Sequence, residues 1–203
     1  MKIYDITPPL TTGMAVWPGD VQFTYSQQMS IRDGDSTNLS SLSTSLHNGA
    51  HADAPSHFAD DGLTIEKVDL ETYCGAATLL NIEGVCELQP EMFEGRGLSP
   101  RLLIRTGAWS DRAKFPESIP TMHEDVPAYL ASRGVRLLGL DLPSVDHLES
   151  KDLPIHHALY RNSIAILESL YLEGLEEGDY ELIALPLPLQ GADASPVRAI
   201  LRK

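Results

Sequence analysis

Short apolar runs separated by turn residues recur along the chain. The runs at 76–82, 101–105, 135–140, 163–168 and 180–185 are rich in leucine, isoleucine and alanine, and each predicts a strand. A further run at 197–201 predicts a closing strand. In the stretch 39–46, Leu39, Leu42 and Leu46 punctuate serines and threonines, which suits a strand that delivers the chain to His47. Helical periodicity is rarer. Asp125 is placed to cap a helix, Pro127 suits its first turn, Val126, Tyr129 and Leu130 form its stripe, and Gly134 stops it. A shorter helix is expected over roughly 154–161. Many strands and few helices predict an α/β or α+β fold with a sheet-rich core. Strand order does not follow from the pattern.

A length of 203 residues suits one domain, 1–203, with a sizeable core. The 42% hydrophobic and 22% charged content is that of an ordinary globular chain. A formal net charge of −14 repels phosphate backbones and anionic lipid, so neither nucleic acid nor a membrane is an expected partner. There is no long apolar run for a membrane span. The opening residues carry an early acid and two prolines without an apolar stretch, so a signal peptide is not expected and the cytoplasm is the default location. Cys74 and Cys86 fit no disulfide or metal spacing and are expected to be small buried hydrophobes.

Three of the seven histidines fall in His47-Asn-Gly-Ala-His51-Ala-Asp53-Ala-Pro-Ser-His57. The i,i+4 spacing of His47 and His51 would share a helix face, but Gly49 and Pro55 argue against a regular helix. A loop that wraps its side chains around one point fits better. Isolated histidines are mostly surface or capping residues. Three beside an aspartate, in a loop shaped by Gly and Pro, point to a metal. Imidazole and carboxylate suit Zn²⁺, Mn²⁺ or Co²⁺. Two histidines and an aspartate leave a position for water, as catalytic sites do. His156-His157 form a second cluster, and Glu168 follows the apolar run 164–167. On a strand Glu168 shares a face with Ile164 and Ile166, so it lies either at a strand end in water or on a metal. His123 and His147 read as ordinary loop or helix-start residues. Trp17 offers a flat face to an aryl ring, or is a core residue beside a Pro-Gly turn.

His47-x-Gly-x-His51-x-Asp53-x-Pro55-x-His57-Phe58 resembles the signature of the cyclase-like metal hydrolases. Asp5–Leu10, Val16-Trp-Pro-Gly-Asp20, Gly139–Asp146, Tyr180–Leu187 and Asp193–Arg198 extend the likeness nearly end to end. The Trp-Pro-Gly-Asp segment and the tail are similar to the kynurenine formamidase (arylformamidase) branch. Asn48 and Ala50 stand where relatives often carry threonine, which suggests tuning of the site.

The resemblance implies an α/β fold, a swivelling β/α/β domain, in a homodimer. It implies two zinc ions per subunit, one held by His47, His51 and Asp53, the other sharing Asp53 and adding His156 and Glu168. The family's spacing selects His156 over His157. His57 would be the catalytic acid/base and Trp17 would line the substrate pocket. The implied reaction is hydrolysis of N-formyl-L-kynurenine to L-kynurenine and formate in tryptophan degradation, by metal-bound hydroxide attacking the formyl carbon. Rivals are a related hydrolase of another aryl or cyclic amide such as isatin, and a metal-binding protein without turnover.

Overall fold

A computed structural model describes residues 1–203. In chain order its strands are β1 (Ile3–Asp5), β2 (Thr24–Met29), β3 (Leu39–Ser43), β4 (His51–Asp53), β5 (Cys74–Asn81), β6 (Glu87–Leu88), β7 (Arg101–Arg105) and β8 (Thr121–Met122). Helix α1 (Val126–Ser132) and β9 (Leu137–Leu140) follow, then α2 (Pro154–Arg161), β10 (Ala165–Glu168), β11 (Gly178–Ile183), β12 (Ala194–Pro196) and β13 (Ile200–Arg202). No helix is long and apolar enough to cross a membrane.

Nine strands form one sheet in the order β1-β13-β11-β5-β7-β9-β10-β4-β12. The centre, β5-β7-β9-β10, is parallel, and both flanks are antiparallel. Central parallel strands are covered on both faces, which is why 101–105 and 137–140 read as continuous apolar runs. Period-two alternation divides them between two buried clusters. Leu79, Leu103, Leu137 and Leu167 join one cluster, and Leu80, Leu102, Ile104, Leu138 and Ile166 join the other. Val126 and Leu130 of α1 and Ile155 and Leu159 of α2 complete the second cluster, so both helices cover that face. Ile6, Ile65, Tyr73 and Leu172, from connecting segments, help cover the opposite face.

The sheet has to curl. If flat, seven strand spacings of about 4.8 Å would hold β12 roughly 34 Å from β13. Only residues 197–199 join them, and that short tether spans about 14 Å at most. The two flanks therefore come round toward each other, and a bridge between Val197 and Pro186 marks the meeting place.

Against the sequence pattern, 101–105 and 154–161 form with the expected bounds, and the other predicted strands form with shifted ends. The closing strand moves to Ile200–Arg202 because 197–199 are the tether. Asp125 makes no side-chain cap on α1; its own N–H instead donates to His123 Nδ1 at 3.2 Å. Cys86 is exposed and Cys74 half-buried, so neither is the core residue expected.

Candidate metal centre

The expected loop around His51 is a strand. His51–Asp53 are three buried residues of β4, held between β10 and β12. Alternation along β4 puts His51 and Asp53 on one face, the face under the helices, and sends Ala52 to the other. In the antiparallel pairing His51 lies opposite Glu168 and Asp53 opposite Ile166. Cross-strand partners share a face. Glu168 is therefore beside His51 by register, and its burial excludes a place in water. Helix α2 lies over the same face and lowers His156 into it. His157 belongs to no set of metal donors; its ring lies 6.1 Å from that of Phe58, which also packs against His156 at 5.4 Å.

These side chains converge on Asp53, whose carboxylate is 1% exposed. Oδ1 is 3.2 Å from His47 Nδ1 and 3.3 Å from His51 Nε2. Oδ2 is 3.6 Å from His156 Nε2. The Glu168 carboxylate closes the group, with Oε2 3.4 Å from His51 Nε2 and Oε1 3.6 Å from His156 Nε2. Three sets of three donors each gather within 4.8 Å: His47/His51/Asp53 and Asp53/His156/Glu168, which share Asp53, and the more exposed His47/His57/Asp193.

The outward nitrogens are committed. His51 Nδ1 donates to the Gly49 carbonyl at 2.9 Å, which leaves Nε2 facing the group. Gly49 adopts φ +68°, where a side chain is strained and a Cβ would lie 2.5 Å from Leu10. His156 Nδ1 donates to Asp146 at 2.6 Å, and Asp146 also accepts the Ile155 and His156 backbone N–H groups at 2.9 and 3.0 Å. Asp146 thus satisfies the start of α2, whose preceding residue Leu153 offers no side-chain cap, and aims His156 in the same contact. Leu153 at φ 44° and Ser169 at φ 59° place left-handed backbone beside the site, a conformation costing ~1–3 kcal/mol per residue.

Do these residues fit a metal? His51 Nε2 and both Asp53 oxygens are buried without a hydrogen-bond partner. A buried carboxylate left so costs several kcal/mol unless a cation meets it. Protons can partly stand in for that cation. Burial depresses His51 and His156, but Asp53 and Glu168 outweigh it for His51, raising it to about 10. Asp146, Asp53 and Glu168 raise His156 to about 12. Burial pushes Asp53 up, yet the three histidines hold it well below the usual carboxylate range. A nitrogen and carboxylate shell without thiolate suits a divalent ion, and the donors fit one.

A cavity of about 250 Å³ opens on this group, lined by His47, His57, Glu168, Trp17, Trp109 and Phe115. Trp17 is 38% exposed and meets Phe115 edge-on at 5.2 Å. Arg112 lies 4.1 Å from the Trp109 ring centre, and its Nη2 donates to the Asp141 and Leu170 carbonyls, which ties this wall to the ends of β9 and β10. His57 follows β4 in a tight turn, Pro55–His57, and its ring lies 4.1 Å from that of His47. Burial and the neighbouring histidines lower its pKa against the pull of Asp53, which favours the neutral ring.

The chain matches the Cyclase family model over residues 4–147. It is 47% identical over 204 residues to the kynurenine formamidase of Geobacillus thermodenitrificans, covering 98% of this chain and 96% of that one. The chain belongs to the cyclase family. Another member, the kynurenine formamidase of Bacillus cereus, is 43% identical over 201 residues, with 98% and 96% covered. Among solved structures, a potential metal-dependent hydrolase with cyclase activity superposes with a TM-score of 0.84 at 28% identity, covering 98% of this chain and 96% of that one. The large sheet with few helices is the fold of these cyclase-family neighbours.

Of the expected site residues, His47, His51, Asp53, His156 and Glu168 meet at one centre, and His57 and Trp17 line the cavity beside it. Asp146 and Asp193 went unassigned. An acid shortly before a helix start is a signal for Asp146. Asp193, 146 residues from its partner His47, has no local signal.

Proposed function

We propose that this chain hydrolyses N-formyl-L-kynurenine to L-kynurenine and formate, with two zinc ions per subunit in a homodimer. The observation that carries the reading is the convergence of two donor sets on Asp53 at the floor of an aromatic cavity, in a chain related end to end to kynurenine formamidases. Zinc, when bound, supplies Lewis acidity and lowers the pKa of water toward about 7, which makes hydroxide available at neutral pH.

The chain's own residues do the rest. Asp53 offers one oxygen to each donor set, His47 and His51 on one side, His156 and Glu168 on the other. Trp17 and Phe115 take the aryl ring and hold the formamide over the centre. The formyl C–N bond breaks as oxygen from water joins the formyl carbon. His57, neutral and lining the cavity, takes a proton from water and returns it to the leaving arylamine nitrogen.

The test is N-formylkynurenine hydrolysis before chelation, after it, and after reloading with zinc, manganese or cobalt. Activity should disappear with the metal and return with it. Full activity in metal-free protein, or none in any loaded form, would sink the reading.

A further inference from the structure

Asp193 stands outside the donor sets centred on Asp53, yet it touches two histidines of the site. Its Oδ2 is 3.1 Å from His47 Nε2 and 3.4 Å from His57 Nδ1. The backbone there is firmly placed. The Asp193 carbonyl accepts the Ala54 N–H at 2.9 Å, and the next residue, Ala194, begins β12 and pairs with Asp53. Edge strand β12 therefore carries one carboxylate to the mouth of the site, while β4 carries another to its floor. The Asp193 side chain is 49% exposed and has no packing duty in either core cluster.

We propose that Asp193 is a positioning residue that sets the ring tautomers of both His47 and His57. A carboxylate only accepts, so each nitrogen facing it carries the hydrogen. His47 then donates through Nε2 and presents a bare Nδ1 toward Asp53, the form a ligand must have. His57 Nδ1, 3.4 Å from the same oxygen and short of a formed hydrogen bond, is held in its protonated tautomer by that carboxylate, which keeps Nε2 as the basic nitrogen for the cavity. One oxygen thus couples a metal-binding ring to the proton-carrying ring whose centre lies 4.1 Å from it. The role at His57 rests on the hydrolase reading above. The role at His47 requires only that the site bind metal.

The experiment uses zinc-loaded protein in five forms: wild type, Asp193→Asn, Asp193→Glu, His57→Ala and the double variant His57→Ala/Asp193→Asn. Nitrogen-15 NMR of the histidine rings reads the tautomers without substrate. In Asp193→Asn the His47 and His57 ring signals should shift or broaden, with the same number of zinc ions per chain but about 10–100-fold weaker retention. With N-formylkynurenine, kcat should fall about tenfold or more with KM within threefold, and Asp193→Glu should restore part of it. In the His57→Ala background, Asp193→Asn should cost less than threefold, since coupled residues are not additive. Unchanged ring signals with wild-type kcat would overturn the proposal. So would loss of a zinc ion, which would make Asp193 a ligand, or additive losses in the double variant. Wild-type protein inert toward the formamide would instead defeat the substrate reading and leave the NMR test standing.

Discussion

His51, Asp53, His156 and Glu168 keep 5% or less of their side chains in contact with solvent, whereas His47, His57 and Asp193 keep 22%, 32% and 49%. The inner four project from sheet strands and a helix, and register or helix packing places each of them. The outer three come from turns or the lip of an edge strand. Inside, carboxylates face histidines with few hydrogen bonds among them, an arrangement that is costly until a cation arrives. Outside, the groups can meet water and exchange protons. On the proposed reading binding and chemistry divide by depth, with His47 as the one donor at the edge, where it reaches the same Asp53 oxygen as His51.

Breaking the inner half should have the largest effect. Asp53→Asn removes the charge shared by both donor sets and turns one acceptor into a donor. The variant should fail to retain metal through dialysis, and its activity should equal that of chelated wild type. Metal analysis beside the assay checks this, and an Asp53→Asn protein that keeps its ions and its rate would dissolve the division. In the outer half, His57→Ala should lower kcat by about 10²–10⁴-fold, the usual worth of a positioned acid/base. Its metal content and Tm should stay at wild-type values. A fall in metal content would move His57 into the inner group.

The two halves also differed in how far the sequence revealed them. The density of histidines at 47–57 and the out-of-pattern Glu168 were visible because each breaks a local rule. Helix 154–161 and strand 101–105 were visible because proline, turn residues and apolar runs mark them locally. What local pattern could not supply was register. β4 is three residues long and buried on both faces, and although Ala50-His51-Ala52-Asp53-Ala54 alternates, the flanking Gly49 and Pro55 mark the stretch as a loop. The pairing of His51 with Glu168 spans over a hundred residues and is set by the order of strands in the sheet. β12 ends in a proline, tolerated there because the strand is an edge, and that proline hides it from a strand search. Asp193 carries no local mark for the same reason, since its partner His47 is 146 residues away, whereas Asp146 lies within 10 residues of the helix start that it satisfies.

Asp146 sharpens the comparison because it supports the inner half without belonging to it. Asp146→Ala leaves the His156 ring N–H and two helix N–H groups without their acceptor. Each buried unsatisfied group costs ~1–3 kcal/mol. Tm should fall by several degrees, and metal affinity should weaken about 10–100-fold. Both come from one contact, so Asp146→Asn, which still accepts hydrogen bonds, should recover stability more than affinity. Equal recovery would show that the helix contact alone matters.

Acidity should separate the halves further. In chelated protein His51 at about 10 and His156 at about 12 lie above the ordinary 6.5. Groups raised on folding stabilise fully below their unfolded pKa, and that contribution is lost as pH rises through the folded value. Chelated protein should therefore lose Tm from about pH 6.5 upward, the His51 share by about pH 10 and the His156 share by about pH 12. Metal affinity should rise over the same range, because the ion displaces those protons. His57 is lowered, so its proton leaves earlier. Chelated protein whose Tm climbs with pH would show that the inner histidines are neutral and the carboxylates carry the protons instead.

The smallest effect is expected at Trp17, the outermost wall. It touches no metal donor; its ring meets Phe115 and the open cavity. An aromatic contact is worth ~0.5–1.5 kcal/mol beyond burial. Trp17→Ala should therefore raise KM for N-formylkynurenine by about 3–10-fold and leave kcat and metal content within twofold. A non-aromatic formamide should be hydrolysed equally by both proteins, because it never used the ring. If Trp17→Ala lowered kcat and left KM alone, the ring would be aligning the formyl group with His57, and the outer half would extend to the cavity rim.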